Sequence, residues 1–191
     1  MPSDEELMQA YVLGDAAAFR ALFARYAPDL LRVFRRHVRD SEAARDLLQQ
    51  TFLQLHRARR DFDARKPLRP WLFTIALNLE REHFRRKKRK PEASLDFEHE
   101  AGLGSLPDAS THFAAASDLH AALERLPAQQ REVIELHWFG GLSFPEVASV
   151  IGARLAATKV RAHRGYCQLR ALLSSSEPHP SGNRSRKRTI L

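Results

Sequence analysis

Apolar residues recur along this chain three and four positions apart, the period of helices buried on one side. No segment shows the period-two alternation or hairpin turn chemistry of strands. Ser3 and Glu6 predict a capping box for a first helix. Asp15 is placed to cap a second, in which Phe19, Leu22, Phe23 and Tyr26 make a buried stripe. Pro28 suits the first turn of a third helix, with Leu31, Phe34 and Val38 on one side. Ser41 opens a longer helix that buries Ala44, Leu47, Leu48, Phe52 and Leu55. Another is expected from about Arg69 to Arg86, with Leu72, Ile75, Ala76 and Leu79 inward.

The stretch from Leu126 to Leu173 has a more specific layout. Ser143 begins a short amphipathic helix whose capping box Glu146 closes. Ala148 is small enough for two helices to cross closely, and Gly152 falls where a tight turn needs an unhindered backbone. A second helix follows from about Leu155 and carries Lys159, Arg161, His163, Arg164 and Arg170. If Leu155, Thr158, Ala162 and Leu169 face the core, Lys159, His163 and Arg164 project from the opposite side. Arg161 then lies toward the edge. Helix, glycine turn and basic helix together describe a helix-turn-helix, which lays its second helix in the DNA major groove. The plain alternative is an αα-hairpin with a solvated basic face.

Charge favours the first reading. The 191 residues hold 31 Lys and Arg against 23 Asp and Glu, a formal charge of +8. That excess suits a polyanion, nucleic acid or an anionic membrane. Arg85 to Lys90 is an unbroken basic run. From Pro91 to Glu124 there is no Lys or Arg, only seven acidic residues, with Pro91, Gly102, Gly104 and Pro107 opposing a continuous helix. The expected fold is therefore all-α: two helical domains joined by a flexible linker, the second a helix-turn-helix domain. Its parts are a basic domain over 1–90, an acidic linker over 91–111, the helix-turn-helix domain over 112–173 and a disordered basic tail over 174–191.

The single cysteine, Cys167, excludes an intramolecular disulfide. The acidic, amphipathic start is unlike a signal peptide, and no apolar run approaches the roughly 18 residues of a membrane span. A cytoplasmic protein with no membrane insertion is expected. No histidine stands with the cysteine at metal-ligand spacing, and no phosphate loop, nucleophile elbow or convincing carboxylate pair is present. Neither a metal, a cofactor nor an enzymatic activity is expected.

The segment from Asp61 to Arg86 carries chemistry of its own. Trp71 and Phe73 stand near a helix start beside Lys66 and Arg69, while Asn78, Arg81 and Arg85 are displayed further on. Cations that hold phosphates, aromatics that stack on bases and an amide that reads a base edge suit single-stranded nucleic acid. Alternatively, Trp71 and Phe73 are core residues and the charges a solvated face, and spacing alone favours that alternative.

From about Leu7 to Leu173 the chain resembles bacterial RNA polymerase sigma factors of the small extracytoplasmic-function (ECF) group. Three pieces carry the resemblance in the family's order: DLLQQTFLQLHRA from Asp46, RPWLFTIALNLEREHFRR from Arg69, and LPAQQREVIELHWFGGLSFPEVASVIG from Leu126. The resemblance implies a factor that binds core RNA polymerase and promoter DNA and directs transcription initiation. It puts Asp46, Leu47, Gln49, Gln50 and Phe52 on the polymerase-docking helix, where the family often has an acidic residue in place of Gln50. It puts Lys66, Arg69, Trp71, Asn78, Arg81 and Arg85 on the segment that melts and reads the downstream (−10) element. Lys159, Val160, His163 and Arg164 fall at base-reading positions for the upstream (−35) element, with Arg161 better placed for phosphate. The linker would thread through polymerase, and an anti-sigma factor is a further partner the family commonly has. One departure stands out. A Gly-Thr-Val-like run usual at the start of the recognition helix is here Ala156, Ala157 and Thr158, and Ala162 and Gly165 thin that helix's core face. The alternatives are a sigma-like protein that binds polymerase or a regulator without directing initiation, and a simple helix-turn-helix repressor.

Overall fold

The computed structural model describes residues 1–38, 40–89 and 118–174. The proposed linker, residues 112–117 and the tail beyond 174 lie outside the described residues. Every regular element among those described is helical: α1 (Asp4–Val12), α2 (Ala16–His37), α3 (Ser41–Arg57), a 3₁₀ turn (Arg59–Asp61), α4 (Leu68–Arg89), α5 (118–124), α6 (Ala128–Trp138), α7 (Phe144–Ile151) and α8 (Leu155–Ser174).

The first helix starts as its sequence dictates. Glu6 N–H donates to Ser3 Oγ at 3.1 Å, and Ser3 N–H donates to Glu6 Oε2 at 2.7 Å, so two orphan amides are satisfied reciprocally. Asp15 caps α2 through Ala17 N–H. For α3 the cap is Asp40, accepting from Glu42 N–H, and Ser41 is the first helical residue.

Pro28 does not start a helix of its own, because α2 runs through it. Proline removes the bond to the Ala24 carbonyl, but both residues are exposed, so water can satisfy that carbonyl. Leu22, Tyr26, Leu30, Val33 and Phe34, buried on either side of Pro28, hold the two halves in line. The buried stripe of α2 also sits beside the expected one. Ala18, Leu22 and Tyr26 face the core, Phe19 is half-buried and Phe23 is exposed. In α4, Phe73 and Leu77 are buried where Ile75 and Leu79 were expected, and the latter two are only half-covered.

Side chains of α1 fasten its neighbours. Asp4 receives both Arg25 and the Tyr26 hydroxyl from α2. Glu5 Oε1 accepts from Leu68 N–H at 3.0 Å, at the start of α4. One apolar interior then continues from α1–α4 into the second unit, where Val133, Leu136, Leu142, Val147, Val150 and Ala162 join it. A smaller cluster of Ala122, Leu123, Leu126, Ile134 and Leu169 lies within the second unit.

The junction between the units has a polar side as well. The carbonyls at the C-terminal end of α6 are the negative end of a helix dipole, and cations from the first unit meet them. Arg32 donates to the Phe139 carbonyl at 3.3 Å, and Arg69 donates to the Gly140 carbonyl and to Asp29 Oδ2, each at 2.6 Å. Gly140 fits here because a Cβ would lie 2.6 Å from the Leu136 carbonyl oxygen and 3.0 Å from the Phe73 ring. Arg36 lies over the Phe139 ring, 4.6 Å from its centroid.

Candidate nucleic-acid interface

The turn between α7 and α8 forms as its residues require. Ser143 N–H and its hydroxyl both donate to Glu146 Oε2 at 2.7 Å, which fixes the start of α7. Gly152 ends that helix in the left-handed region, at φ 67° and ψ 35°, where a side chain is strained. Nothing crowds its missing Cβ, so the cost of a side chain here is conformational alone. Gly152→Ala should destabilise the fold by about 1–2 kcal/mol, read from urea unfolding, with no loss of the α7–α8 pairing in the folded state.

On α8, Thr158, Ala162, Gly165 and Leu169 face inward as a strip. Lys159, Val160, His163 and Arg164 are exposed together on the other side, and Arg161 is half-buried at the edge. Among the described residues, no acidic side chain pairs with Lys159, Arg161 or Arg164, so their charges are available to a phosphate or a base edge. His163 Nε2 sits 3.7 Å from Cys167 Sγ on the next turn, so a histidine does stand four residues from the cysteine on one helix face, contrary to the expectation from spacing.

Leu155 does not join the core strip; it is exposed at the first turn of α8, before the helix meets α6 and α7. Thr158 is fully buried, yet its hydroxyl is satisfied by the Arg154 carbonyl at 3.2 Å, so the unusual residue brings no orphan polar group inside. Gly165 has a positive role. A Cβ there would come within 2.6 Å of Ile134 Cδ1, so the glycine lets α6 and α8 approach closely. The thinned face is thus matched by a bulky partner.

The residues proposed for the downstream element divide into two groups. Lys66, Asn78 and Arg85 are exposed, and Trp71 is half-buried with its ring 5.2 Å from that of Phe62. Arg69 and Arg81 are instead engaged by the second unit. Arg69 bridges Asp29 and the Gly140 carbonyl, and Arg81 pairs with Glu132 at 2.8 Å. Phe73 is a core residue with its ring against Gly140, so of the two aromatics only Trp71 is partly exposed. The half-buried carboxylate and the helix-end carbonyl explain the placement of Arg69, because they offer a guanidinium two acceptors at once.

The docking helix divides similarly. Asp46, Gln49 and Gln50 are exposed on α3, whereas Leu47 and Phe52 are 2% and 4% exposed and hold the helix in place. Beside them lies an open groove of about 500 Å³ lined by Tyr11, Phe19, Phe23, Gln49, Leu53 and His56. The Phe23 ring is 4.6 Å from Phe52, and Phe19 meets Phe52 edge-on at 6.0 Å. Leu53 is the residue the periodicity reading misses here, and Phe23, expected in the buried stripe, lines the groove instead. Leu53 gives the one signal available, an apolar side chain off the stripe that Ala44, Leu47 and Leu55 define.

Residues 22–90 match the family described as Sigma-70 region 2, and residues 116–169 match Sigma-70, region 4. The RNA polymerase sigma factor CarQ of Myxococcus xanthus is 35% identical over 179 residues, spanning 89% of this chain and 97% of its own. The ECF RNA polymerase sigma factor SigM of Mycobacterium tuberculosis is 33% identical, spanning 90% of this chain and 85% of its own. The chain is an RNA polymerase sigma factor of the ECF group. As a sigma factor it directs transcription initiation at promoters, and sigma factors as a class are initiation factors rather than enzymes.

Solved structures agree with the fold. CnrH, in complex with the cytosolic domain of CnrY, superposes with a TM-score of 0.72 at 28% identity over 92% of this chain and all of its own. The sigma factor RpoE of Bartonella quintana, in complex with the anti-sigma factor NepR, gives 0.63 at 27% identity over 83% of this chain and 98% of its own. The α1–α4 bundle of this sigma factor thus contains region 2, and the helix-turn-helix lies within region 4. No described helix is long and apolar enough to cross a membrane.

Proposed function

We propose that the exposed face of α8 reads the upstream promoter element, with Lys159, Val160, His163 and Arg164 toward base edges and Arg161 on phosphate. The observation that carries this is the clustering of unpaired cations opposite the buried strip of Thr158, Ala162, Gly165 and Leu169. In the same reading, Lys66, Trp71, Asn78 and Arg85 hold the opened downstream element, with Arg69 and Arg81 joining them once released from the second unit. Asp46, Gln49 and Gln50 present α3 to core polymerase, and Leu47 and Phe52 support that face from beneath. The protein acts in the cytoplasm and catalyses no reaction itself. An anti-sigma factor is a further partner, a reading supported by the complexes in which CnrH and RpoE were solved. The functional parts are an N-terminal domain over 1–90 for polymerase docking and the downstream element, an acidic linker over 91–111, a helix-turn-helix domain over 112–173 for the upstream element and a basic tail over 174–191.

Transcription in vitro from a library of upstream elements, with purified core polymerase, tests the reading face. Arg164→Ala should lose about 1–3 kcal/mol at one base pair and relax the preference there. Arg161→Ala should weaken all sequences alike and lower the salt dependence by about one counterion. Equal changes in sequence preference in both variants would show that α8 does not divide its work in this way.

A further inference from the structure

We infer that His37, held between Glu80 and Glu135, is a proton-operated latch between the two helical units: its imidazolium closes them, and loss of its proton frees them. His37 is the last residue of α2, Glu80 lies on α4 of the same unit, and Glu135 lies on α6 of the other. His37 Nδ1 is 2.5 Å from Glu80 Oε1, and Nε2 contacts Glu135 Oε2. Both ring nitrogens therefore face carboxylate oxygens. A neutral imidazole has one N–H and would turn a lone pair toward one of them; an imidazolium donates to both. Geometry selects the charged ring.

Charge counting selects it again. Glu80 and Glu135 are 4% and 2% exposed. Among the described residues, the cations that pair with them are His37 and Arg36, whose Nε is 3.8 Å from Glu135 Oε1. With His37 charged, two carboxylates meet two cations. With it neutral, a net negative charge is left where water is scarce, which is costly. Among the described residues, Glu124 on α5 and Arg131 on α6 also act on Arg36, and the Arg81–Glu132 pair joins α4 to α6. Arg81 and Glu132 neutralise each other, and among the described residues no histidine other than His37 bonds to the two buried carboxylates.

Burial acts against the charge on His37, but hydrogen bonds to Glu135 and Glu80, with their negative charges, outweigh it and hold its pKa at about 10. On opening, Glu135 leaves and Glu80 alone remains, so the value falls back toward the ordinary 6.5. The sign follows. Because the closed form has the raised pKa, its extra stabilisation is complete at the acid end, near pH 6.5, and is lost as pH rises through about 10. Between these limits closing takes up a proton, and the closed-to-open ratio falls by up to about tenfold per pH unit. Arg69 and Arg81 are tied to the second unit by the same closure, so alkalinity would release them from the Gly140 carbonyl and Glu132.

The test is conformational and does not depend on which residues read promoters. A full-length chain carrying one dye at Cys167, which is exposed on α8, and one at Gln54→Cys on exposed α3 reports separation of the units by single-molecule energy transfer. Urea is added until both populations are present at pH 8, and circular dichroism follows the helices. The wild-type ratio should fall several-fold per unit from pH 6.5 to 9.5 with helical signal unchanged. His37→Gln should make the ratio independent of pH, and Glu135→Gln should lower the closed fraction and flatten the slope. A pH-independent wild-type ratio, a His37→Gln variant with the wild-type slope, or opening that occurs only with loss of helix overturns the latch.

Discussion

Asp46→Arg is expected to weaken binding to core polymerase by about 2 kcal/mol or more, roughly thirtyfold, while leaving the fold intact. Asp46 is exposed on α3, between the buried positions Ala44 and Leu47, and none of the hydrogen bonds or ion pairs among the described residues uses its carboxylate. A reversed charge there stays solvated in the free protein and costs it little. Against a docking surface complementary to an acid, the same reversal replaces attraction with repulsion at close range. Equilibrium binding to core polymerase, beside a melting curve, checks both halves. Unchanged affinity in a variant of normal stability would remove Asp46 from the docking face. Gln49 and Gln50 would then be the next residues to examine.

The second large effect concerns promoter opening. Trp71→Ala combined with Asn78→Ala should reduce open-complex formation more than initial duplex binding, by about 1–3 kcal/mol for each base no longer held. Trp71 is half-buried with its ring tilted against that of Phe62, and Asn78 is exposed about two turns along the same helix. Permanganate footprinting on duplex and pre-melted promoters separates the steps. A pre-melted bubble should largely rescue the double variant. A defect of equal size on the bubble would mean that these side chains do not act by trapping unpaired bases. Arg69 is deliberately left out of this variant: its loss would also disturb the contact with Asp29 and Gly140, so a defect could not be assigned to one cause.

Local rules made the helices and their caps legible in sequence. Ser3 with Glu6, Asp15, Ser143 with Glu146, and Gly152 each act within four residues, and each forms as its spacing predicts. The exposed set on α8 was legible for the same reason, since one helix turn separates Lys159 from His163. Where tertiary packing decides, the pattern misleads. Phe19 and Phe23 fit a seven-residue stripe, but smaller Ala18 faces the interior and the phenyl rings border a groove instead. Pro28 signals a break that buried residues on both sides override. Arg69 looks like one of several cations on a basic helix, and nothing local reveals that Asp29 and the Gly140 carbonyl, 40 and 71 residues away, take both of its bonds. Gly165 looks like a weakness until Ile134 is seen against it.

The interior shared by the two units has a consequence for competition. Phe73 meets Gly140 inside one continuous apolar cluster, so the units are joined twice, by the backbone and by burial. The backbone keeps each unit near the other, at an effective concentration that a separate partner must match. Any surface that would occupy the face of α6 and α7 must first displace a rival that never diffuses away. A core polymerase that gripped both units at once would convert the same tether from a competitor into an ally, because each unit captured brings the other within reach.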